Sequence, residues 1–405
     1  MNKKILSLAL AAVMALSLCA CGSGDDTGTT ETDAGSEGTT STATGAAFKI
    51  GGTGPLTGNA SIYGIAAKNG AQIAVDEINA LGGDIQFELR YEDDVHDPEK
   101  AVNAYNTLKD WGMQLSLGSV TSKPGEATSV ENYADRIFAL TPSASSQATI
   151  EGKDNVFQMC FMDPNQGAAS AQYIAEQELG TKIAIIWKND DVYSKGIHDT
   201  FLEEAAARGL EIVSDTTFAD GNDTDFSVQV ADAQDNGADL VFLPMYYQPA
   251  SLILSQANSV GYTPKWFGVD GMDGLLTVEG FDTSLAEGAM LLTPFVATAT
   301  DEATQSFVEK YQSADYGDGE TPNQFAADAY DCIYALRAAI EQSGVTPDMD
   351  YSDICDALVE TFTSEDFSFT GLTTAGEAAT WSDTGEISKQ PMGMVIEDGV
   401  YMPLA

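Results

Sequence analysis

From Phe48 onward the chain alternates short apolar runs with amphipathic segments, and that alternation leaves few architectures open. Apolar runs at 48–53, 85–91, 113–117 and 137–140 read as strands. Between them, a segment ending at Gly82-Gly83 and the stretches 98–111 and 124–134 carry helical spacing. A second series begins after Asp163, with helices at 165–178, 193–208, 225–236 and 248–260 and strands at 182–187, 211–218, 240–243 and 265–269. Two strands with a helix between them cannot meet through a hairpin; the chain must cross over, so the strands run parallel. The expected fold class is α/β, with parallel sheets in two blocks. Open sheets of this kind hold ligands at the carboxyl ends of their strands, so the loops that follow strands are where function belongs.

Charge narrows the partners. Sixty-two acidic residues stand against 18 basic ones, a formal net charge of −44. Such a field repels phosphate backbones and excludes nucleic acid as a partner. With 20% of residues charged and 43% hydrophobic, the chain is still globular in composition. Its 405 residues suit two domains. No loop reads G-x-G-x-x-G before a helix, and the Gly51-Gly52-Thr53-Gly54 run lacks both the third glycine and a phosphate-binding lysine. No nucleotide or other cofactor is expected, and no metal, since His96 and His198 are far apart in sequence and no cysteines show metal-ligand spacing.

Residues 1–20 read as an address. Asn2, Lys3 and Lys4 precede an uncharged run through Leu18 that is too short to span a bilayer comfortably. It ends in Leu18-Cys19-Ala20-Cys21-Gly22, which resembles the bacterial lipoprotein signal and implies lipidation of Cys21. Residues 21–47 then form a flexible acidic linker rich in Gly, Ser, Thr, Asp and Glu. By square-root scaling it would span about 25–30 Å, enough to hold a folded body clear of a membrane. Cys160, Cys332 and Cys355 sit in apolar settings and are expected as small buried hydrophobes.

The loops carry a recognisable set. Gly54-Pro55-Leu56-Thr57-Gly58, Tyr63-Gly64, Ala74-Val75-Asp76-Glu77-Ile78-Asn79, Asp93-Asp94 and Asp97-Pro98 are followed by Thr141-Pro142-Ser143-Ala144-Ser145-Ser146, Asp163 with Gln166-Gly167, Asp225-Phe226-Ser227 and Ala329-Tyr330-Asp331. In order and spacing this resembles the leucine/isoleucine/valine-binding family, the solute-binding lipoproteins of ABC importers with the type I periplasmic-binding-protein fold. The resemblance implies two Rossmann-like lobes joined by a three-crossing hinge, 48–163 with 294–386 and 164–293 with 387–405. It also implies a small-molecule amino acid ligand, importer permease subunits as partners, and an extracytoplasmic location through the lipid anchor.

A free amino acid presents a carboxylate, an ammonium and a side chain, and each must be met when water is excluded. For the carboxylate, Ser122 follows a strand and precedes a helix, where N–H groups also point. The resemblance implies roles for the Ser122 and Ser145 hydroxyls and the Ser143 backbone. For the ammonium it implies Asp270, where the family commonly has a glutamate. Tyr63, Val120, Thr121 and Phe325 would line the side-chain pocket from one lobe, with Tyr193 and Tyr246 from the other.

Two departures stand out: Pro244-Met245 replaces the family's Gly-Gly, and Ser194 replaces a glycine. Bulkier residues there are expected to shrink or reshape the pocket. No arginine lies in these loops, which argues against a dianionic ligand. Branched-chain amino acids lead; a related amide, urea or aromatic acid is the alternative, as is a sensor serving a membrane receptor. An enzyme is disfavoured, because neither histidine is placed by sequence to activate the cleft serines.

Overall fold

A computed structural model describes residues 46–404; the signal, Cys21 and nearly all of the linker lie outside them. Two sheets organise the described residues. The first is laid down by β1 (Phe48–Gly54), α1 (Ser61–Ala80), β2 (Phe87–Asp93), α2 (Pro98–Trp111), β3 (Leu115–Gly118), α3 (Ser122–Asp135), β4 (Phe138–Thr141), the single turn α4 (Gln147–Ile150) and β5 (Val156–Gln158). All its strands are parallel, in the order β2-β1-β3-β4-β5. The second is built from α5 (Asp163–Glu176), β6 (Lys182–Lys188), α6 (Val192–Arg208), β7 (Glu211–Phe218), α7 (Ser227–Asp235), β8 (Leu240–Leu243), α8 (Tyr247–Ser259), β9 (Lys265–Gly268) and β10 (Met290–Thr293).

The chain then returns to the first sheet. The helices α9 (Glu302–Tyr311), α10 (Gln324–Ser343) and α11 (Tyr351–Phe362) follow β10, and α10 packs along α1. Farther on, Trp381 donates its indole N–H to the Gln158 carbonyl of β5 at 2.8 Å. Finally β11 (Met392–Glu397) and β12 (Val400–Pro403) join β10 as an antiparallel hairpin, completing the order β12-β11-β10-β9-β8-β6-β7. The parallel expectation therefore holds except at this edge.

Local sequence explains the elements. In α2, Asp97 caps the first turn by accepting from the Lys100 amide, Pro98 needs no N–H at the first position, and Gly112 ends the helix at φ +93°. Ala101, Ala104, Tyr105 and Leu108 recur at helical spacing and make its buried face. Strands β3, β4, β8 and β10 are buried throughout, as parallel strands covered on both faces must be. Sequence spacing missed α4 and β5, which are too short to show a period, and it named no element beyond residue 269, where β10, α9, α10, α11, β11 and β12 lie. It also started α3 late: the helix begins at Ser122, with Thr121 in the capping position. Cys160, Cys332 and Cys355 are free and buried.

Candidate functional site

In both sheets the strand order reverses beside the first strand, between β1 and β3 and between β6 and β8. Crevices form at such reversals, because successive crossover helices leave to opposite faces. The loops gathered there are those after β1, β3 and β4 on one side and after β6, β8 and β9 on the other.

The first side presents hydroxyls. Ser122, in the first turn of α3, accepts from the Ser146 amide at 3.2 Å and lies 3.4 Å from the Ser145 hydroxyl. Ser143 donates to the Val120 carbonyl at 2.6 Å, which ties the loops after β3 and β4 together and leaves Val120 as buried wall. Thr121 bonds His96 through Oγ1 and Nδ1 at 2.9 Å. Burial, with Lys188 and Lys123 adding to it, lowers the His96 pKa to about 4 and keeps the ring neutral.

The second side presents acids. Asp270 accepts from the Tyr193 hydroxyl at 2.5 Å, and its amide donates to Gln166 Oε1 at 3.2 Å. Burial raises the Asp270 pKa to about 6 against the opposing hydrogen bonds. Asp163 lies between the two sides, at the start of α5 where the chain leaves the first sheet, and donates its amide to the Ser145 carbonyl at 2.9 Å. Its carboxyl is fully buried, both oxygens lack a hydrogen-bond partner, and burial raises its pKa well above the ordinary range. Ser145 sits near enough to favour the Asp163 anion without closing a hydrogen bond to it. Gln166 Nε2 and the Tyr246 hydroxyl are likewise buried and unpartnered. Unmatched polar groups of this kind are costly unless a polar ligand meets them.

Aromatic rings line the space between. Tyr193 and Tyr246 stack at 4.7 Å and 5°, His96 meets Tyr246 edge-on at 5.4 Å, and Tyr63 packs against Phe325 at 4.3 Å and Tyr246 at 5.5 Å. Tyr63 also crosses the crevice: its hydroxyl donates to the Gly271 carbonyl and accepts from the Tyr247 amide at 3.1 Å. Gln324, in the first turn of α10, makes a parallel crossing, its side chain to the Asp270 carbonyl and its amide to Asp273 Oδ2, both at 2.8 Å.

Tyr63, Val120, Thr121, Ser122, Ser143, Ser145, Tyr193, Tyr246, Asp270 and Phe325 thus stand around one crevice. Sequence reasoning gave no role to Asp163, Gln166 or Gln324. It also gave His96 no place at the crevice, whereas His96 is packed against Thr121 and Tyr246. Its bond is to Thr121, not to Ser122 or Ser145. Asp163 with Gln166-Gly167 stood out only as part of the family resemblance; its importance comes from burial. The departures at 194 and 244–245 are all buried. Ser194 donates to the Pro244 carbonyl and accepts from the Lys188 amide, and Met245 is buried in the core, so the three changes accommodate one another. Among the described residues no cluster of His, Cys, Asp and Glu has the makings of a metal site.

Residues 47–388 match the family model described as periplasmic binding protein. The Leu/Ile/Val-binding protein BraC3 of Rhizobium johnstonii is 28% identical over 84% of this chain and 89% of its own length. Among solved structures, the branched-chain amino acid transporter substrate binding protein LivJ of Streptococcus pneumoniae, in complex with isoleucine, superposes with a TM-score of 0.78 at 27% identity, over 88% of this chain and 98% of that one. A solute binding protein of R. palustris in complex with benzoate shares the fold, with a TM-score of 0.76 at 19% identity over 89% and 96% of the two chains.

Proposed function

Because this chain belongs to the periplasmic binding protein family, we propose that it is an extracytoplasmic solute-binding lipoprotein. It captures an amino acid, branched-chain by its relatives, between two closing lobes and delivers it to the permease subunits of an ABC importer. The lobes are 48–163 with 294–386 and 164–293 with 387–405, and Cys21 carries the lipid anchor. The observation that carries the reading is the pair of buried carboxyls, Asp163 and Asp270, with Asp163 tied through its amide to Ser145, whose hydroxyl lies beside that of Ser122. An ammonium satisfies the acids, and a carboxylate satisfies the hydroxyls and the helix-start amides of α3. The rings of Tyr63, Tyr193, Tyr246 and Phe325, with Val120 and Thr121, enclose the aliphatic part. An aromatic acid without an amine would leave the two acids unmet. The bound ligand is held, not turned over, and is expected back unchanged from the purified protein.

The test is a calorimetric and thermal-shift screen of the full chain with the twenty amino acids and their keto acids. A cognate amino acid at 100 times its dissociation constant should add about 2.7 kcal/mol of stability. Asp270→Ala should weaken binding by about 2–5 kcal/mol, since it removes one partner of a buried charge pair. No heat and no shift across the panel would sink the amino-acid reading; a ligand that survives Asp270→Ala unchanged would point to one lacking an ammonium.

A further inference from the structure

A cavity of about 540 Å³ lies close to the crevice, with walls from both halves of the molecule. Ile62 and Ile65 of α1 and Val308 of α9 line it from one half; Leu276, Val400 and Tyr401 line it from the other. Protein interiors leave few voids larger than a water molecule, whereas this volume falls within the range of small-molecule sites. The lining carries two acidic residues, Asp273 and Glu320, and among its described residues no lysine, arginine or histidine. Asp273 is only 6% exposed. Its Oδ2 accepts from the Gln324 amide, and a carboxylate has capacity for further donors. Ile65 and Val400 are 42% and 45% exposed, so solvent reaches the cavity wall.

We propose that this cavity is a second small-molecule site, one that takes an amphiphilic amine with its ammonium on Asp273 and its apolar body against Ile65, Leu276 and Val400. An anion would be repelled by Asp273 and Glu320, and a neutral apolar molecule would desolvate Asp273 without compensating it. Since the walls belong to different halves, occupancy biases the angle between them. That consequence rests on the two-lobe reading, whereas the site itself does not.

The probe is 2-phenylethylamine, titrated into the full chain at pH 8. That is above the value of about 7 to which burial, with Asp270 and Asp328 adding, raises the Asp273 carboxyl. Saturable binding is expected, with 2-phenylethanol and 3-phenylpropanoate at least about tenfold weaker. Asp273→Asn and Ile65→Trp should each weaken the amine at least about tenfold. Ile65 is partly exposed, so its variant decides the matter if Asp273→Asn does not fold. Absence of saturable binding, equal binding of the alcohol, or unchanged binding by Ile65→Trp overturns the site. A failed amino-acid screen would leave these outcomes intact, because they are read on a different probe and different variants.

Discussion

Tyr63 is where one side chain couples the two sides of the crevice. It is buried, its ring forms part of the pocket wall, and its hydroxyl both donates to Gly271 and accepts from Tyr247 across the gap. Phenylalanine would keep the wall and lose both bonds. At about 1 kcal/mol for each hydrogen bond, Tyr63→Phe should weaken amino acid binding by about 1–2 kcal/mol, roughly 5–30-fold in Kd by calorimetry. Equal affinities would mean that the bridge plays no part in holding the ligand. Tyr63, Tyr193 and Asp270 were legible as candidates because the family resemblance implies ligand roles for them and they lie after strands, where such sheets hold ligands. Asp163 and His96 were not, because a carboxyl with no partner and a ring held neutral are properties of burial, and sixty-two acids give no means of ranking one.

At the level of elements, the contact between α1 and α10 depends on close backbone approach. A Cβ added to Gly70 would lie 1.9 Å from the Ala326 carbonyl oxygen, so the helices would have to separate. Gly70→Ala should destabilise the protein by about 1–3 kcal/mol, the usual cost of overpacking. A Cβ at Gly83 would meet nothing within 4 Å, and Gly83→Ala should leave the urea midpoint nearly unchanged. If the two variants unfold at the same midpoint, the helix contact is looser than the structure shows. Helix α2 was read to both of its ends because Asp97-Pro98 and Gly112 announce its caps. Three-residue β5 announces nothing, and its place is set by pairing with β4 and by Trp381 from a distant part of the chain.

At the scale of the whole molecule, buried acids set the response to pH. Burial raises Asp94 and Asp273 to about 7 and Asp191 and Asp270 to about 6, against about 3.9 unfolded. Between about pH 4 and 7 the folded state therefore holds more protons than the unfolded state, so stability rises as pH falls through that window. His96, lowered to about 4, opposes this but is outnumbered, since burial also lifts Asp328 to about 6 and Asp163 well above its ordinary range. The ligand-free Tm should increase from pH 7.5 to pH 5, and a decrease would contradict the burial of these acids. Amino acid affinity should move the other way, falling below about pH 6 by up to about tenfold per pH unit as protons compete with the ammonium for Asp270. The parallel sheets, the two blocks and the loops that carry the site were determined by the sequence alone, because the period of apolar residues and the turn chemistry act over a few neighbours. The meeting of those loops, the unpartnered carboxyl of Asp163 and the antiparallel edge formed by the tail were decided only in the tertiary structure. Each depends on residues far apart in the chain, and burial exists only once they have packed.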